Sequence, residues 1–133
     1  MRREKEITID EGDDKGKKFK ITAMSAFQMD KWVNKALGAI GKETDENVFI
    51  YFFNLGIGGI IDAISKAEEP QKSELLAELL ECCSFEKDGN FVVLKGNVSE
   101  GIIEDWKTYT RLRVEALNVN FDFLDEGDTS SPT

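Results

Sequence analysis

The chain has 133 residues, contains no histidine and carries 26 acidic against 17 basic side chains, a formal net charge of −9 at pH 7. This length suits one domain with a hydrophobic core, and the acidic balance argues against nucleic acid as a partner, because phosphate binding requires clustered lysine or arginine. Without histidine, the Ser-His and Cys-His nucleophile pairs and the commonest metal ligand are excluded.

Two alternating segments near the N-terminus predict an antiparallel β-hairpin. Ile7 and Ile9 alternate with polar residues, as do Phe19 and Ile21, which is the pattern of half-buried strands. The connection over 11–16 (EGDDKG) is rich in turn formers and in acids. Its spacing lacks the EF-hand pattern and the bidentate glutamate at the twelfth position, so we interpret it as a solvated turn and not as a calcium site.

A helix is predicted over Ala26–Ile40. Ser25 and Gln28 can form a capping box, in which each side chain satisfies the backbone of the other residue. Gly41 suits the position that ends the helix, and Trp32 is expected to anchor its apolar face to the core. The residues at helical spacing on this face are Phe27, Trp32, Val33, Ala36, Leu37 and Ile40.

The run 47–61 (NVFIYFFNLGIGGII) has no charge in an otherwise highly charged chain. It is shorter than the roughly 20 apolar residues that cross a bilayer. We therefore expect no membrane span and a buried helix from about Asp45 to Lys66. Its main apolar stripe consists of Phe49, Phe53, Ile57, Ile60 and Ile64.

A neighbouring stripe of this helix begins with one large side chain and continues with small ones. It consists of Phe52, Gly56, Gly59 and Ala63. Three interior glycines cost roughly 3 kcal/mol relative to alanine, so we expect close packing of Gly56 and Gly59, within the fold or between subunits. Two structures stay open: a continuous helix approached by another backbone, and two helices divided near Gly58-Gly59. A dinucleotide-binding loop fits poorly, because Ile61 stands where the fingerprint requires its final glycine.

A third helix is predicted to begin at Pro70, a residue suited to a first turn. Cys82 and Cys83 follow near its end. Neighbouring cysteines form only strained disulfides, and two thiols are too few for a structural zinc site, so we expect reduced thiols in a cytosolic protein. The apolar face of this helix consists of Leu75, Leu76, Leu79, Leu80 and Cys83.

The last third of the chain predicts a second small hairpin and a fourth helix. Ser84–Lys87 and Phe91–Leu94 flank a strong turn signal, Asp-Gly-Asn. The fourth helix is expected to begin at Asn97 or Ser99 and to fade near Asn118. Its apolar positions are Ile102, Ile103, Trp106, Tyr109, Leu112 and Ala116.

Together these elements predict a mainly α (α+β) fold, a four-helix single domain with an N-terminal β-hairpin and a second small hairpin. The domain covers 1–124 and is followed by a disordered acidic tail over 125–133. The carboxylates fall on predicted solvent faces or in loops, where no apolar pocket would raise a pKa, and no Walker loop is present. We therefore expect no enzyme activity, no cofactor and no metal.

The order of these elements resembles that of the tail assembly chaperones of long-tailed bacteriophages and prophages. The resemblance rests on KEITIDEGDDKGKKFKITAMSAFQMDKWVNKAL (5–37) and RLRVEALNVNF (111–121), and the elements together cover about 4–124. It implies a non-enzymatic protein of the bacterial host cytoplasm that is absent from the mature virion. It also implies binding to the tape measure protein and assistance to the tail tube protein as it polymerises.

The residues expected to contact a partner, or another subunit of a homo-oligomer, are Phe52, Gly56, Gly59, Phe121, Phe123 and Leu124. For the last three an alternative stays open, in which the aromatic side chains fold back to close the core. Two other functions also stay open. An acidic inhibitor or nucleic-acid mimic would occupy a basic cleft on its partner, and a small-ligand domain would use the glycine-rich run.

Overall fold

The computed structural model describes the backbone of residues 3–39 and 48–130 and the side chains of 3–39 and 54–121. Within these ranges it confirms the predicted class, an α+β domain. None of the described helices is long and apolar enough to cross a membrane. In chain order the elements are β1 (Glu4–Thr8), β2 (Lys18–Thr22), α1 (Ala26–Ala39), α2 (Val48–Ser65), α3 (Gln71–Leu80), β3 (Cys83–Lys87), β4 (Asn90–Val93), a 3-10 helix (Val98–Gly101) and α4 (Trp106–Ser130).

The two predicted hairpins form and join into one antiparallel sheet with the order β1-β2-β3-β4. Strands β2 and β3 pair in the middle, with Phe19 opposite Phe85 and Ile21 opposite Cys83. The rings of Phe19 and Phe85 lie 5.5 Å apart. Since Phe19, Ile21 and Cys83 are fully buried, this face of the sheet packs against the helices.

Helix α1 begins with the predicted capping box. The backbone N–H of Gln28 donates to Ser25 Oγ at 3.2 Å, and the backbone N–H of Ser25 donates to Gln28 Oε1 at 3.1 Å. Trp32 anchors the helix as expected, because it is buried and its Nε1 donates to the carbonyl of Leu75. The prediction for Phe27 is wrong: its side chain is 73% exposed. Five residues separate it from Trp32, which places it about 140° away around the helix.

Helix α2 resolves the open alternative in favour of a break, which lies at Gly56 (φ 68°, ψ 176°) and not at Gly58-Gly59. Beyond the break Ile60 and Ile64 are buried, as the main stripe predicts. The side chains of Phe49 and Phe53, and the predicted start at Asp45, lie outside the described residues.

Helix α3 and the second hairpin follow the prediction closely. Leu75, Leu79 and Leu80 are buried, and both cysteines are free and buried. The turn between β3 and β4 places Asp88 and Gly89 at positive φ, as the Asp-Gly signal requires.

The prediction for the start of the fourth helix is wrong. Ser99 lies in the 3-10 helix, and α4 begins only at Trp106, with Asp105 Oδ1 accepting from the backbone N–H of Lys107. The intervening residues break the helical phase, so Trp106 is 75% exposed. The helical backbone also continues past Asn118 to Ser130, with irregular angles at Phe121. The boundary between the domain and an acidic tail stays a prediction.

The loop between β1 and β2 is not simply a solvated turn, because Asp14 is completely buried. Its Oδ1 accepts from Lys17 Nζ at 2.7 Å and from the backbone N–H of Glu104 at 2.9 Å. Its Oδ2 accepts from the backbone N–H of Asp105 at 2.9 Å and from Thr108 Oγ1 at 2.6 Å. The loop therefore fastens the start of α4, a role that turn composition alone does not reveal.

Candidate functional site

Helices α2, α3 and α4 meet around an open cleft of about 150 Å³, which we call the three-helix cleft. Its floor is made by Ile64, Leu79 and Leu117, all buried. Such a volume admits one or two side chains and is smaller than the ~300–1,000 Å³ pockets of drug-sized ligands. The lining residues are Ile61, Ile64, Ser65, Lys72, Leu76, Leu79, Thr110, Arg113, Val114 and Leu117.

The rim of this cleft is apolar and partly open to solvent. Ile61 on α2, Leu76 on α3 and Val114 on α4 are each half-buried and line the cleft, and Ile61 and Leu76 also pack against the core. Each presents an aliphatic surface that a partner side chain can cover. An open apolar groove between helices is the geometry that receives the apolar face of an amphipathic helix.

Two basic residues, Arg113 and Lys72, line the same cleft. The guanidinium of Arg113 lies over the ring of Tyr109, with 5.5 Å from its central carbon to the ring centroid. Its Nε is buried and has no hydrogen-bond partner among the described residues. Burial lowers the pKa of Arg113, because desolvation disfavours the charged form. The cleft thus combines an apolar wall with positive charge in a strongly acidic chain.

Two other depressions are more polar. One, of about 460 Å³, lies between α1, α3 and the sheet and includes Lys31, Glu78 and Glu81. The other, of about 250 Å³, lies between the β1–β2 loop and α4 and includes Asp10 and Arg111. Within residues 3–39 and 54–121, no group of three or more Cys, Asp or Glu side chains could hold a metal ion. The three-helix cleft is therefore the most apolar of the three depressions.

Of the residues predicted to contact a partner, Phe121 lies in the core. It is 2% exposed, and its ring is 5.8 Å from that of Trp32, so for this residue the core alternative is the one the structure supports. The side chains of Phe52, Phe123 and Leu124 lie outside the described residues. Their backbones are in α2 and α4, and their role as partner contacts stays a prediction.

Close packing within the fold, one of the two predicted reasons for Gly56, is absent among the described residues, and packing between subunits stays a prediction. No described atom lies within 4 Å of a Cβ built at Gly56, whereas its φ of +68° is a conformation that side chains rarely adopt. At Gly59 the nearest atom to such a Cβ is Leu55 Cβ at 3.1 Å, so the crowding comes from the preceding turn of α2 and not from another backbone. Both glycines shape α2 just before it forms a wall of the cleft at Ile61.

The structure brings together residues that the sequence did not single out. Leu76 was assigned only to a core face, and Arg113 was not assigned at all. One signal was present: Tyr109, Arg113 and Leu117 follow at intervals of four and therefore share one helix face. An arginine in the middle of an apolar face indicates either a buried ion pair or a binding position.

Comparison with known proteins identifies no relative of this chain. No family model matches it, and neither a curated protein nor a solved structure matches it.

Proposed function

We propose that this chain is a non-enzymatic tail assembly chaperone of a long-tailed bacteriophage or prophage. It binds the tape measure protein in the cytoplasm of the bacterial host, assists polymerisation of the tail tube protein and is left out of the mature virion. The observation that carries the proposal is the three-helix cleft, an open apolar groove on an acidic domain whose element order resembles these chaperones.

The cleft suits a long helical partner. A tape measure protein exposes apolar faces along its helices, and such faces need a cover that keeps them from aggregating. The half-buried Ile61, Leu76 and Val114 offer an apolar surface, while the net charge of −9 keeps the complex soluble. Helix-in-groove binding of this kind depends on burial of side chains and needs no catalytic group.

The described titratable groups support binding rather than catalysis. Burial would raise the pKa of Asp14, but hydrogen bonds from Lys17, Thr108 and two backbone N–H groups outweigh it and hold the pKa well below its usual range. A carboxylate that stays charged and fully bonded is a poor general acid or base. Burial raises the pKa of the Cys83 thiol, which keeps it protonated and weakly nucleophilic.

Self-association is part of the proposal, since many copies would be needed to coat an elongated partner. Phe121 no longer supports it, because this side chain is in the core. Trp106 and Phe27 remain as large apolar side chains that are each at least 73% exposed. Light scattering on the purified chain at about 100 µM, a concentration at which micromolar contacts are occupied, would detect oligomers, and a strict monomer would contradict this part.

The proposal is tested by co-expression with the long helical protein encoded near this chain in its genome. Leu76→Gln combined with Val114→Thr makes the cleft polar with little change in size, and we expect co-purification to be lost while the circular dichroism spectrum is kept. The matched control is Val93→Thr combined with Val98→Thr, which changes two exposed apolar residues outside the cleft. Equal co-purification of both pairs would contradict the cleft as the site.

Salt dependence separates this function from the acidic inhibitor or nucleic-acid mimic. Apolar binding in the cleft persists when sodium chloride is raised to about 1 M, where the Debye length is only about 3 Å. Binding through surface carboxylates weakens steeply over the same range. Many described carboxylates already pair with local lysines, as Glu115 does with Lys5 and Glu78 with Lys35, which disfavours a free acidic face.

A further inference from the structure

Arg113 is a half-buried cation whose Nε is enclosed by the protein, and no counter-ion pairs with it in the described part of the chain. None of the ion pairs there includes it, and its Nε is buried without an acceptor. The enclosed Nε–H loses its water and gains no equivalent bond, and this loss costs the folded state free energy. The ring of Tyr109 covers the guanidinium, but no described group accepts a hydrogen bond from this Nε.

The surroundings of Arg113 do not supply the missing acceptor. The ring of Tyr109 covers a face of the guanidinium, whereas hydrogen bonds leave a guanidinium at its edge. The neighbouring carboxylates have other partners. Glu115, two positions further along α4, pairs with Lys5 and Arg111. No Asp or Glu is among the described residues that line the cleft.

The position of Arg113 defines what would satisfy it. Leu76 and Val114 line the same cleft and favour an aliphatic side chain, and Lys72 adds a second positive charge from α3. Guanidinium pairs best with a carboxylate, in a charge-assisted bond that strengthens where water is excluded. The complementary surface is thus apolar with one negative charge in its middle.

We propose that the three-helix cleft recognises an amphipathic helix of a partner whose apolar face carries a single carboxylate, and that Arg113 is the residue that selects for this acid. The inference rests on the proposed function and specifies the segment of the partner that is bound. Aliphatic contacts supply general affinity for apolar helices. Arg113 rejects helices without the acid, since these leave its guanidinium buried and unpaired.

Two synthetic peptides test the selection with the full-length chain. Both are amphipathic helices of about 18 residues, long enough to be helical in isolation, with leucine and alanine on one face. One carries a glutamate and the other a glutamine at the centre of that face. By fluorescence anisotropy we expect the glutamate peptide to bind about tenfold more tightly, the usual effect of one charge-assisted hydrogen bond.

The variant Arg113→Gln should remove this preference, so that both peptides bind equally. The matched control is Arg111→Gln on the same helix, whose exposed guanidinium pairs with Asp10 and Glu115 outside the cleft. We expect this control to keep the tenfold preference. The affinities of the unmodified chain and of Arg113→Gln for the two peptides form a double-mutant cycle that isolates the contact between Arg113 and the acid.

Thermal stability gives a second readout that a structural arginine would not produce. Arg113→Met removes the enclosed, unpaired Nε donor and keeps an apolar stem, so we expect the Tm of the free chain to rise by about 3 °C. A fall in Tm would show that Arg113 holds the fold together and would overturn the inference.

Equal binding of the two peptides by the unmodified chain would also overturn it. Failure of the inference is distinguishable from failure of the proposed function. If the tape measure protein co-purifies through the cleft but the peptides bind equally, the inference is wrong and the function stands. If the glutamate peptide is preferred but the tape measure protein does not co-purify, the selectivity of the cleft stands and the proposed function is wrong.

Discussion

Two charged side chains at helix α4 differ in how fully they are hydrogen-bonded: the buried Asp14, which packs on the start of the helix, and the half-buried Arg113, which belongs to the helix. Near the start of the helix, Asp14 accepts hydrogen bonds from Lys17, from Thr108 and from the backbone of residues 104 and 105. About two turns further along, Arg113 has a buried Nε without any acceptor among the described residues. We call the first group the Asp14 hub and compare it with the three-helix cleft.

The difference teaches what each region is for. A buried polar network whose members are all bonded fixes one arrangement of the chain, and the Asp14 hub fixes the β1–β2 loop on the start of α4. The fit is close, since a Cβ at Gly12 would lie 2.5 Å from Asp105 Oδ2. An unbonded buried atom costs the free protein stability, and the described residues hold two such side-chain atoms, Arg113 Nε and Glu78 Oε1. The hub therefore has a structural role, and we propose that the cleft receives a partner.

The strongest test of this contrast is Asp14→Ala. The change leaves two backbone N–H groups and the Thr108 hydroxyl without their acceptor and removes one of the acceptors of Lys17. We therefore expect the free energy of unfolding to fall by about 4 kcal/mol, as for other broken buried pairs. Urea denaturation measures the change.

Asp13→Ala is the control for this prediction, because Asp13 is the exposed neighbour in the same loop. We expect its effect to stay within about 0.5 kcal/mol. If both substitutions change the free energy of unfolding by the same small amount, the Asp14 hub has no structural role and the comparison with the three-helix cleft fails.

A second test concerns the direction of α2, which forms one wall of the cleft. Gly56 has positive φ and an extended ψ, a combination that is nearly restricted to glycine. Gly56→Ala should therefore lower the free energy of unfolding by about 1–3 kcal/mol. Gly58→Ala, two residues away in open helical space, should raise it by about 0.5 kcal/mol. The same sign for both changes would show that α2 has no required break.

A third test measures how the stability of the folded chain depends on pH through the Asp14 carboxylate. The pKa of Asp14 is lowered in the folded state, so its carboxylate contributes stability above the unfolded pKa of about 3.9, and this contribution is lost as the pH falls below that value. Asp14→Asn should reduce the slope of stability against pH below about pH 4, by at most about 1.4 kcal/mol per pH unit. Identical slopes for the two proteins would contradict the assignment.

Much of the fold could be predicted from local patterns. Ser25 and Gln28 mark the start of α1 by a bonding scheme within one turn, and Asp88 and Gly89 mark the second hairpin by their backbone preferences. The joining of the two hairpins could not be predicted in this way. Ile21 pairs with Cys83 across 62 positions of sequence, and alternation shows only that a strand exists, not which strand lies beside it.

The two charged sites show a different limit. Asp14 stands among exposed acids of similar composition, and only the three-dimensional position of Thr108 and residues 104–105 makes it the buried one. The cleft depends on where three helices leave a gap, which no periodicity describes. The predicted apolar face of the fourth helix is also partly wrong. The chain breaks between the 3-10 helix and Trp106, so the residues before and after the break do not share one helix face.

The smallest expected change in stability comes from giving Arg113 a carboxylate partner within the chain. Thr110 is exposed, lines the cleft and precedes Arg113 by three positions, so Thr110→Glu places a carboxylate beside the guanidinium on the same helix face. We expect a gain of only about 0.3–0.5 kcal/mol in the free energy of unfolding, the usual value for such a pair. Binding of the glutamate peptide should nevertheless fall about tenfold, because its acid now competes with an internal one. Thr110→Gln is the control, since it adds the same bulk without the charge and should keep the preference. If Thr110→Glu and Thr110→Gln bind the peptide equally well, the charge of Arg113 does not govern recognition. The difference between a fully hydrogen-bonded hub and a cleft with an unpaired donor would then not distinguish structure from function in this protein.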